Sequence, residues 1–405
     1  MHMVFENNLE NLILHWTGRF KDLGAGMRSY EFKKGVWDAI GAATSASGST
    51  IPSCFGPNPP DVANNKQATT ADSWCFWLLY IGPVVLRGQL PEEEFTHFLQ
   101  FSKLVELCLQ FKYTCEEVRK IRYGFANWVY KYEELYLQND AERISACPVT
   151  LHALLHIADS IDDCGPVWAY WTFATERYCG YLSPKFKSRR YPWAPHDTLI
   201  FKILTPYPTC VLLPPKKPAS TVTQELLRKI IIHFATRFSV NQRIVKKYFD
   251  PTGITRWSVV RRLEGGDDMR AASLLPFAED RRDATFIRFD ALIDKNAKNR
   301  RAEIQEEKQT FFGRLQHIFV VDLPAASELR LDKRTTFILA GIEQCIIDST
   351  DSVNFSYYSK LAPLEVLDIT CIQCLVGRVV AGPSQWAIID RSGTLERSYY
   401  VASDH

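Results

Sequence analysis

The spacing of apolar residues changes along this 405-residue chain, and that change limits the folds open to it. In the first half, apolar side chains recur every three to four residues, which is typical of amphipathic helices. From Gln309 onward, β-branched and aromatic runs alternate with polar or Gly-Pro turns, which is typical of strands. The sequence therefore predicts an α+β protein with a mainly α-helical N-terminal half and a small C-terminal β domain.

Two neighbouring helices are predicted most clearly. Pro91 and the three glutamates after it open the first helix, because acids are favoured in a first turn. Thr114 and Glu117 form a capping box that begins the second helix. The pair Gly82-Pro83 is expected to kink or break the helix in which it falls. The predicted inner faces are Phe98, Phe101, Leu104, Val105 and Cys108 in the first helix, and Val118, Ile121, Phe125, Trp128, Val129 and Tyr132 in the second.

Short apolar runs predict the C-terminal strands. They read TFFGRLQHIFVVDL, TTFILAGIEQCIID, EVLDITCIQCLVGRVV and QWAIIDRSG. Several strands of this length within about 90 residues favour a small barrel-like domain or a curled sheet.

Composition predicts how the chain is divided. Five prolines between Thr205 and Ser220 indicate a stiff linker, and the region after it is rich in charged residues. The predicted units are a helical region (1–204), a Pro-rich linker (205–222), a basic helical and charged region (223–305) and a small β domain (306–397).

The stretch from Cys147 to Leu182 holds the main functional clue. Thr150 can cap an amphipathic helix that runs to about Ile161, after which Gly165-Pro166 ends it. A segment dense in Trp and Tyr follows, and then Glu176 stands beside Arg177. From the residues alone, this acid and base favour a structural ion pair on a packed helix.

This stretch resembles the C-terminal part of plant and fungal CACTA-type cut-and-paste transposases. The shared pattern is a Leu-His-Leu-Leu-His-like helix, a Gly-Pro turn, an aromatic segment and Glu-Arg-Tyr with Gly. The opening of the chain is similar to the family's Met-His-x-x-x-Glu-Asn run, so His2, His152, His156 and Arg177 match motif positions. The resemblance implies the last helix of a ribonuclease-H-like domain, with residues from about 91 to 132 matching the family's helical insertion.

The resemblance also implies a role for Glu176, as the third acid of an Asp-Asp-Glu triad. Two divalent metals, Mg²⁺ or Mn²⁺, need several convergent carboxylates to clamp a phosphoryl transfer. The two upstream Asp have no counterpart in this chain, so Glu176 would bind metal only if they were supplied. The expectation is a transposase fragment that needs no cofactor alone and does not cut DNA alone.

Charge is concentrated in the middle of the chain. Residues 181–301 hold 24 Lys and Arg against 11 Asp and Glu, a net charge of +13, whereas the whole chain carries +2. Such density beside aromatic residues predicts non-specific contact with DNA phosphates, although a solvated basic face remains the alternative. The candidate DNA-binding residues are Lys185, Lys187, Arg189, Arg190, Arg243, Lys246, Lys247, Arg261 and Arg262.

Other motifs leave alternatives open. His152 and His156 could share a metal with Cys164 or Asp159, or they could be ordinary helix histidines. Cys371 and Cys374 are expected to be structural thiols rather than a zinc site.

The chain shows no Gly-x-Ser-x-Gly, His-Glu-x-x-His or Gly-x-x-x-x-Gly-Lys-Ser pattern, so the competing hypothesis is a transposase-derived DNA-binding or scaffold protein.

Location and partners follow from composition. Eleven cysteines without framework spacing indicate a reducing compartment. No signal peptide and no run of eighteen apolar residues is present, so the protein is expected to be nuclear or cytoplasmic, not secreted and not in a membrane. Besides DNA, an intact transposase is the expected partner.

We expect the purified chain to show no Mg²⁺- or Mn²⁺-dependent nicking of supercoiled plasmid, because one carboxylate cannot hold two metal ions. Agarose-gel nicking assays on the native chain and on Glu176→Gln check this. Nicking by the native chain that disappears in Glu176→Gln would contradict it.

Overall fold

A computed structural model describes residues 2–20, 23, 29–170, 202–204, 207–218, 222–263, 267–295 and 305–391. Helices dominate up to residue 170, and strands dominate from residue 202, which confirms the α+β class. The helices are α1 Leu9–Trp16, α2 Val36–Ala46, α3 Ala71–Phe76, α4 Gly82–Val85, α5 Glu92–Cys108, α6 Cys115–Tyr132, α7 Val149–Ala153, α8 Ile157–Cys164, α9 Gln224–Arg237 and α10 Gln242–Tyr248. The strands are β1 Lys202–Leu204, β2 Tyr207–Pro218, β3 Thr255–Arg262, β4 Asp268–Arg270, β5 Phe286–Asp294, β6 Glu306–Leu323, β7 Thr335–Thr350, β8 Ser356–Leu361, β9 Glu365–Asp368, β10 Ile372–Leu375, β11 Gly377–Gly382 and β12 Gln385–Ile389.

The predicted helix pair is present as α5 and α6. The Thr114 hydroxyl accepts a hydrogen bond from the Glu117 amide at 3.2 Å, and the Glu117 carboxylate accepts one from the Thr114 amide at 2.7 Å. This confirms the capping box, which satisfies two amides at the start of α6. All six predicted inner residues of α6 are buried, and four of the five in α5 are, Leu104 being half-buried.

Two buried polar residues of the helical half, Arg143 and His97, lie inside an aromatic core. Arg143 is fully buried, and it donates from Nε to the Tyr136 carbonyl and from Nη2 to the Tyr30 hydroxyl. The His97 ring stacks on Trp128 with ring centres 4.4 Å apart. Burial lowers the pKa of His97 to about 4, so the ring is neutral at physiological pH.

Two predicted helix boundaries, at Gly82-Pro83 and at Thr150, differ in detail from the structure. The Gly82-Pro83 pair coincides with a change of helix type rather than with the end of helical structure, because α4 begins at Gly82 with Pro83 in its first turn. A π-helical turn, Trp77–Ile81, leads directly into that helix. Thr150 is not a cap, since helix α7 already begins at Val149 and no side chain caps it.

The strands form one extended antiparallel sheet. Its path runs β1-β2-β3-β6-β7-β8-β12-β11, with β4, β5, β9 and β10 paired off this path. The predicted barrel-like domain is not found, because the described strands form an open sheet with β1 and β11 at opposite ends. Strands from before residue 306 join the sheet, so it is larger than the four predicted runs.

The Pro-rich segment predicted as a linker is instead strand β2. It pairs with β3 on one side, and its register shifts between Leu213 and Lys216. Pro214 and Pro215 fall within that shift, where the ladder needs no amide donor from them. Likewise the region 223–305, predicted as helical and charged, contributes β3, β4 and β5 after its two helices. The predicted domain boundaries themselves stay a prediction.

Strands β6 and β7 separate two cores, because successive side chains point to opposite faces. One face, with Ile318, Val320, Ile338 and Ala340, packs against strand residues of β2, β3, β5 and β10. The other face, with Phe319, Val321, Phe337 and Leu339, packs beneath helices α9 and α10. This second core fixes the position of α9 and α10 on the sheet.

The segment 47–56 joins the helical half to the sheet. The Asp283 amide donates to the Ser49 carbonyl at 2.9 Å, and the Arg391 guanidinium donates to the Phe55 carbonyl at 2.6 Å. Ile51 and Phe55 also pack against Gly377. The helical core accordingly extends into the sheet through Tyr357, Val379, Ala387 and Ile389.

We expect Trp128→Ala to lower the free energy of unfolding by about 3–5 kcal/mol, because it removes a large side chain that is only 1% exposed. Tyr130→Ala is the matched control, since Tyr130 lies on the same helix but is 65% exposed; its effect should stay within about 0.5 kcal/mol. Urea unfolding followed by circular dichroism measures both, and equal losses would show that α6 does not pack as described.

Candidate nucleic-acid interface

Several predicted site residues lie outside the described part of the chain. The description stops at residue 170 and resumes at 202, so it includes none of Glu176, Arg177, Lys185, Lys187, Arg189 and Arg190. For His2 only the backbone, in the helical turn His2–Asn8, is described. Their predicted roles stay predictions, and the geometry of a candidate interface comes from the remaining basic residues.

Helices α9 and α10 pack on the sheet and are joined by residues 238–241 only. We call this helix pair the α9–α10 hairpin. Thr223 caps the first helix, its hydroxyl accepting from the Leu226 amide at 3.3 Å. Asn241 caps the second, its side chain accepting from the Arg243 amide at 2.9 Å. Ile230 and Phe234 are buried against the sheet, and the opposite side of the hairpin is exposed.

A groove of about 610 Å³ lies between the two helices. Arg243 and Lys246 stand on its α10 side. A second groove, of about 560 Å³, lies between α9 and residues 364–367 and is lined by Arg228 and Lys229. The exposed ridge of α9 separates the two grooves, since Ile232 and Thr236 line both.

Three predicted DNA-binding residues already have partners within the fold. Lys247 is 2.9 Å from the Glu328 carboxylate, which raises the lysine pKa through that hydrogen bond. Arg261 binds both oxygens of Asp268, at 2.5 and 2.7 Å. Arg262 donates to the Ile372 carbonyl at 2.7 Å. These contacts brace strands and helices, so the three side chains are poorly placed to bind phosphate.

Arg243 and Lys246 differ from these three. Both are exposed, and neither contacts a carboxylate in the described residues. Arg228, one helical turn before Ile232 on the same exposed face of α9, is likewise without an acidic partner among them. Arg228 was missed from the sequence, although its spacing of four residues from Ile232 and eight from Thr236 places all three on one helix face.

The helix histidines are brought together. The Nε2 atoms of His152 and His156 are 3.2 Å apart, and both rings are exposed. Of the two predicted companions, Asp159 lies 3.4 Å from His156 Nδ1, and no contact to Cys164 is present in the described region. The described residues contain no group of three or more His, Cys, Asp or Glu arranged to hold a metal ion.

A serine and a histidine meet at a place that the sequence did not indicate. Ser273 Oγ is 2.7 Å from His317 Nδ1, and Arg256 Nη2 is 2.7 Å from the same hydroxyl. The hydroxyl also lies 2.6 Å from the Gln316 carbonyl, so it has a backbone acceptor. Burial and the neighbouring Arg256 lower the pKa of His317 to about 4, which makes it a weak base at neutral pH. This network fits a structural role better than a nucleophilic one.

Comparison with known proteins gave no match to a family model, to a curated protein or to a solved structure. Within the described ranges, no helix is both long and apolar enough to span a bilayer.

Proposed function

We propose that this chain is a transposase-derived protein that binds the DNA backbone through the α9–α10 hairpin. The observation that supports this most is the set of three exposed cations, Arg228, Arg243 and Lys246, which flank the hairpin without carboxylate partners in the described residues. The CACTA-type resemblance in the sequence motivates DNA as the partner.

The chemistry of these groups suits phosphate better than base edges. Phosphate contacts come from Arg and Lys together with short polar side chains, and they carry no sequence information. The groove offers both kinds, since Thr236, Ser239, Asn241 and Gln242 line it beside the cations. Helix α10 has only seven residues, which is short for a helix that must lie along a major groove. Binding should therefore be independent of sequence.

The catalytic part of the hypothesis rests on the resemblance alone. In it, Glu176 remains the third acid of an Asp-Asp-Glu site that would use Mg²⁺ or Mn²⁺, and an intact transposase or its DNA would be the partner in the nucleus. DNA binding by the hairpin does not require that acid, so the two parts can be tested separately.

We expect the double variant Arg243→Gln/Lys246→Gln to flatten the salt dependence of DNA binding. Each phosphate contact contributes about −0.9 to the slope of log K against log salt, so the loss of two should change the slope by about two. Fluorescence anisotropy of a labelled duplex with the full chain, titrated from about 50 to about 200 mM salt, measures this.

The matched control is Lys247→Gln/Arg334→Gln, which removes the same charge from two surface residues bound to carboxylates. It should leave the slope nearly unchanged. An equal effect of both double variants would mean that only net charge matters. Binding that is insensitive to salt, or no binding at all, would contradict the DNA-binding proposal and favour a scaffold role.

A further inference from the structure

The side chains of His152 and His156 meet on the solvent side of the helical half. The proposed DNA-binding function does not involve them. His152 lies in α7, and His156 lies in the single 3-10 turn, Leu154–His156, that links α7 to α8. Residues four apart share one helix face, so both rings point the same way. Their Nε2 atoms are 3.2 Å apart, and the ring planes are 74° from each other.

The helix that carries the histidines is held firmly. Leu151, Leu154, Ala158 and Ile161 are all at most 4% exposed and pack into the helical core. Asn8 donates from its side chain to the Thr150 carbonyl at 2.9 Å, which fixes the start of α7. The two histidine backbones are therefore held at a fixed spacing by a packed element.

One histidine also has a partner on its other nitrogen. Asp159 Oδ2 lies 3.4 Å from His156 Nδ1, at the outer limit of a hydrogen bond. Asp159 is itself bound by the Arg122 guanidinium, whose other amino group is 2.8 Å from Asp162. A carboxylate that accepts from Nδ1 keeps the proton there and leaves the Nε2 lone pair of His156 free to bind a ligand.

The two Nε2 atoms are close enough either to share one proton in a hydrogen bond or to bind one cation together. A separation of 3.2 Å is at the long end of the hydrogen-bond range. A metal ion at the usual zinc–nitrogen distance of about 2.0–2.1 Å from each atom would subtend an angle of about 100–106°. That angle is close to the roughly 109° of a tetrahedral site.

We infer that His152 and His156 form a two-histidine site for a divalent transition metal such as Zn²⁺, with water completing the coordination. Imidazole suits Zn²⁺, Cu²⁺ and Ni²⁺ and not Mg²⁺ or Ca²⁺, which take oxygen ligands. On binding, each neutral ring donates its Nε2 lone pair to Zn²⁺ and keeps one proton on Nδ1. The proton between the two Nε2 atoms moves to His152 Nδ1 if that nitrogen is unprotonated, and otherwise passes to solvent. The site lies apart from the α9–α10 hairpin, so it does not depend on DNA binding.

Titration of the full chain with ZnCl₂, followed by isothermal calorimetry without DNA, tests the site. The double variant His152→Asn/His156→Asn should bind one equivalent fewer than the native chain. Asp159→Asn should weaken that equivalent by roughly 10-fold, because loss of an outer hydrogen-bonding partner has effects of this size. Since both histidines are exposed, we expect the variants to fold, and circular dichroism verifies it.

Two matched controls distinguish this site from others. Asp162→Asn removes a carboxylate that also binds Arg122 but does not touch His156, and it should leave the affinity within about two-fold. Cys164→Ser should do the same, because water and not this thiol completes the site. Unchanged zinc stoichiometry in the double histidine variant, or loss of the same equivalent in Cys164→Ser, would overturn the assignment.

Discussion

The junction between the helical half and the sheet depends on a buried ion pair within the sheet half, between Arg378 and Asp283, because the main chains of both residues hydrogen-bond to segment 47–56. The Nη2 and Oδ2 atoms are 2.7 Å apart, and both side chains are only about one-tenth exposed. Arg378 lies over the Phe286 ring at 3.6 Å, and its main chain exchanges two hydrogen bonds with Thr50. Removing one partner of such a pair leaves a buried charge uncompensated, which costs about 3–5 kcal/mol.

This pair organises the contact between an irregular segment and the sheet. Segment 47–56 carries few apolar residues of its own, but it presents backbone carbonyls to Asp283, Arg282, Arg378 and Arg391. Each of these carbonyls thereby accepts a hydrogen bond from the sheet half. The core of the helical half can then continue into β8, β11 and β12, so both halves depend on the same junction.

Local signals in the sequence predicted the local structure well. Helices α5 and α6 were predicted because caps and apolar stripes act within a few residues, and β6 and β7 because each is a run of β-branched and aromatic residues. The sequence did not reveal that β2 is a strand, since Pro214 and Pro215 fit into it at a register shift opposite β3, which is a long-range feature. Nor did it reveal the junction at Thr50, whose partner Arg378 is 328 residues away.

The candidate site was also predicted only as far as local sequence signals allow. The density of Lys and Arg indicated the basic region, but density cannot tell a free cation from a paired one. Glu328 binds Lys247, and Asp268 binds Arg261, through contacts that only the fold creates or orients. The convergence of His152 and His156 was visible as a spacing of four, whereas the meeting of Ser273 with His317 had no sequence signal.

Because they share the Arg378 junction, the helical half and the sheet should unfold as one unit. Native-state hydrogen exchange at increasing urea, read by mass spectrometry for peptides of α6 and β12, tests this directly. We expect both sets of peptides to lose protection at the same urea concentration. Loss of protection in α6 well before or after β12 would show instead that the two halves unfold independently.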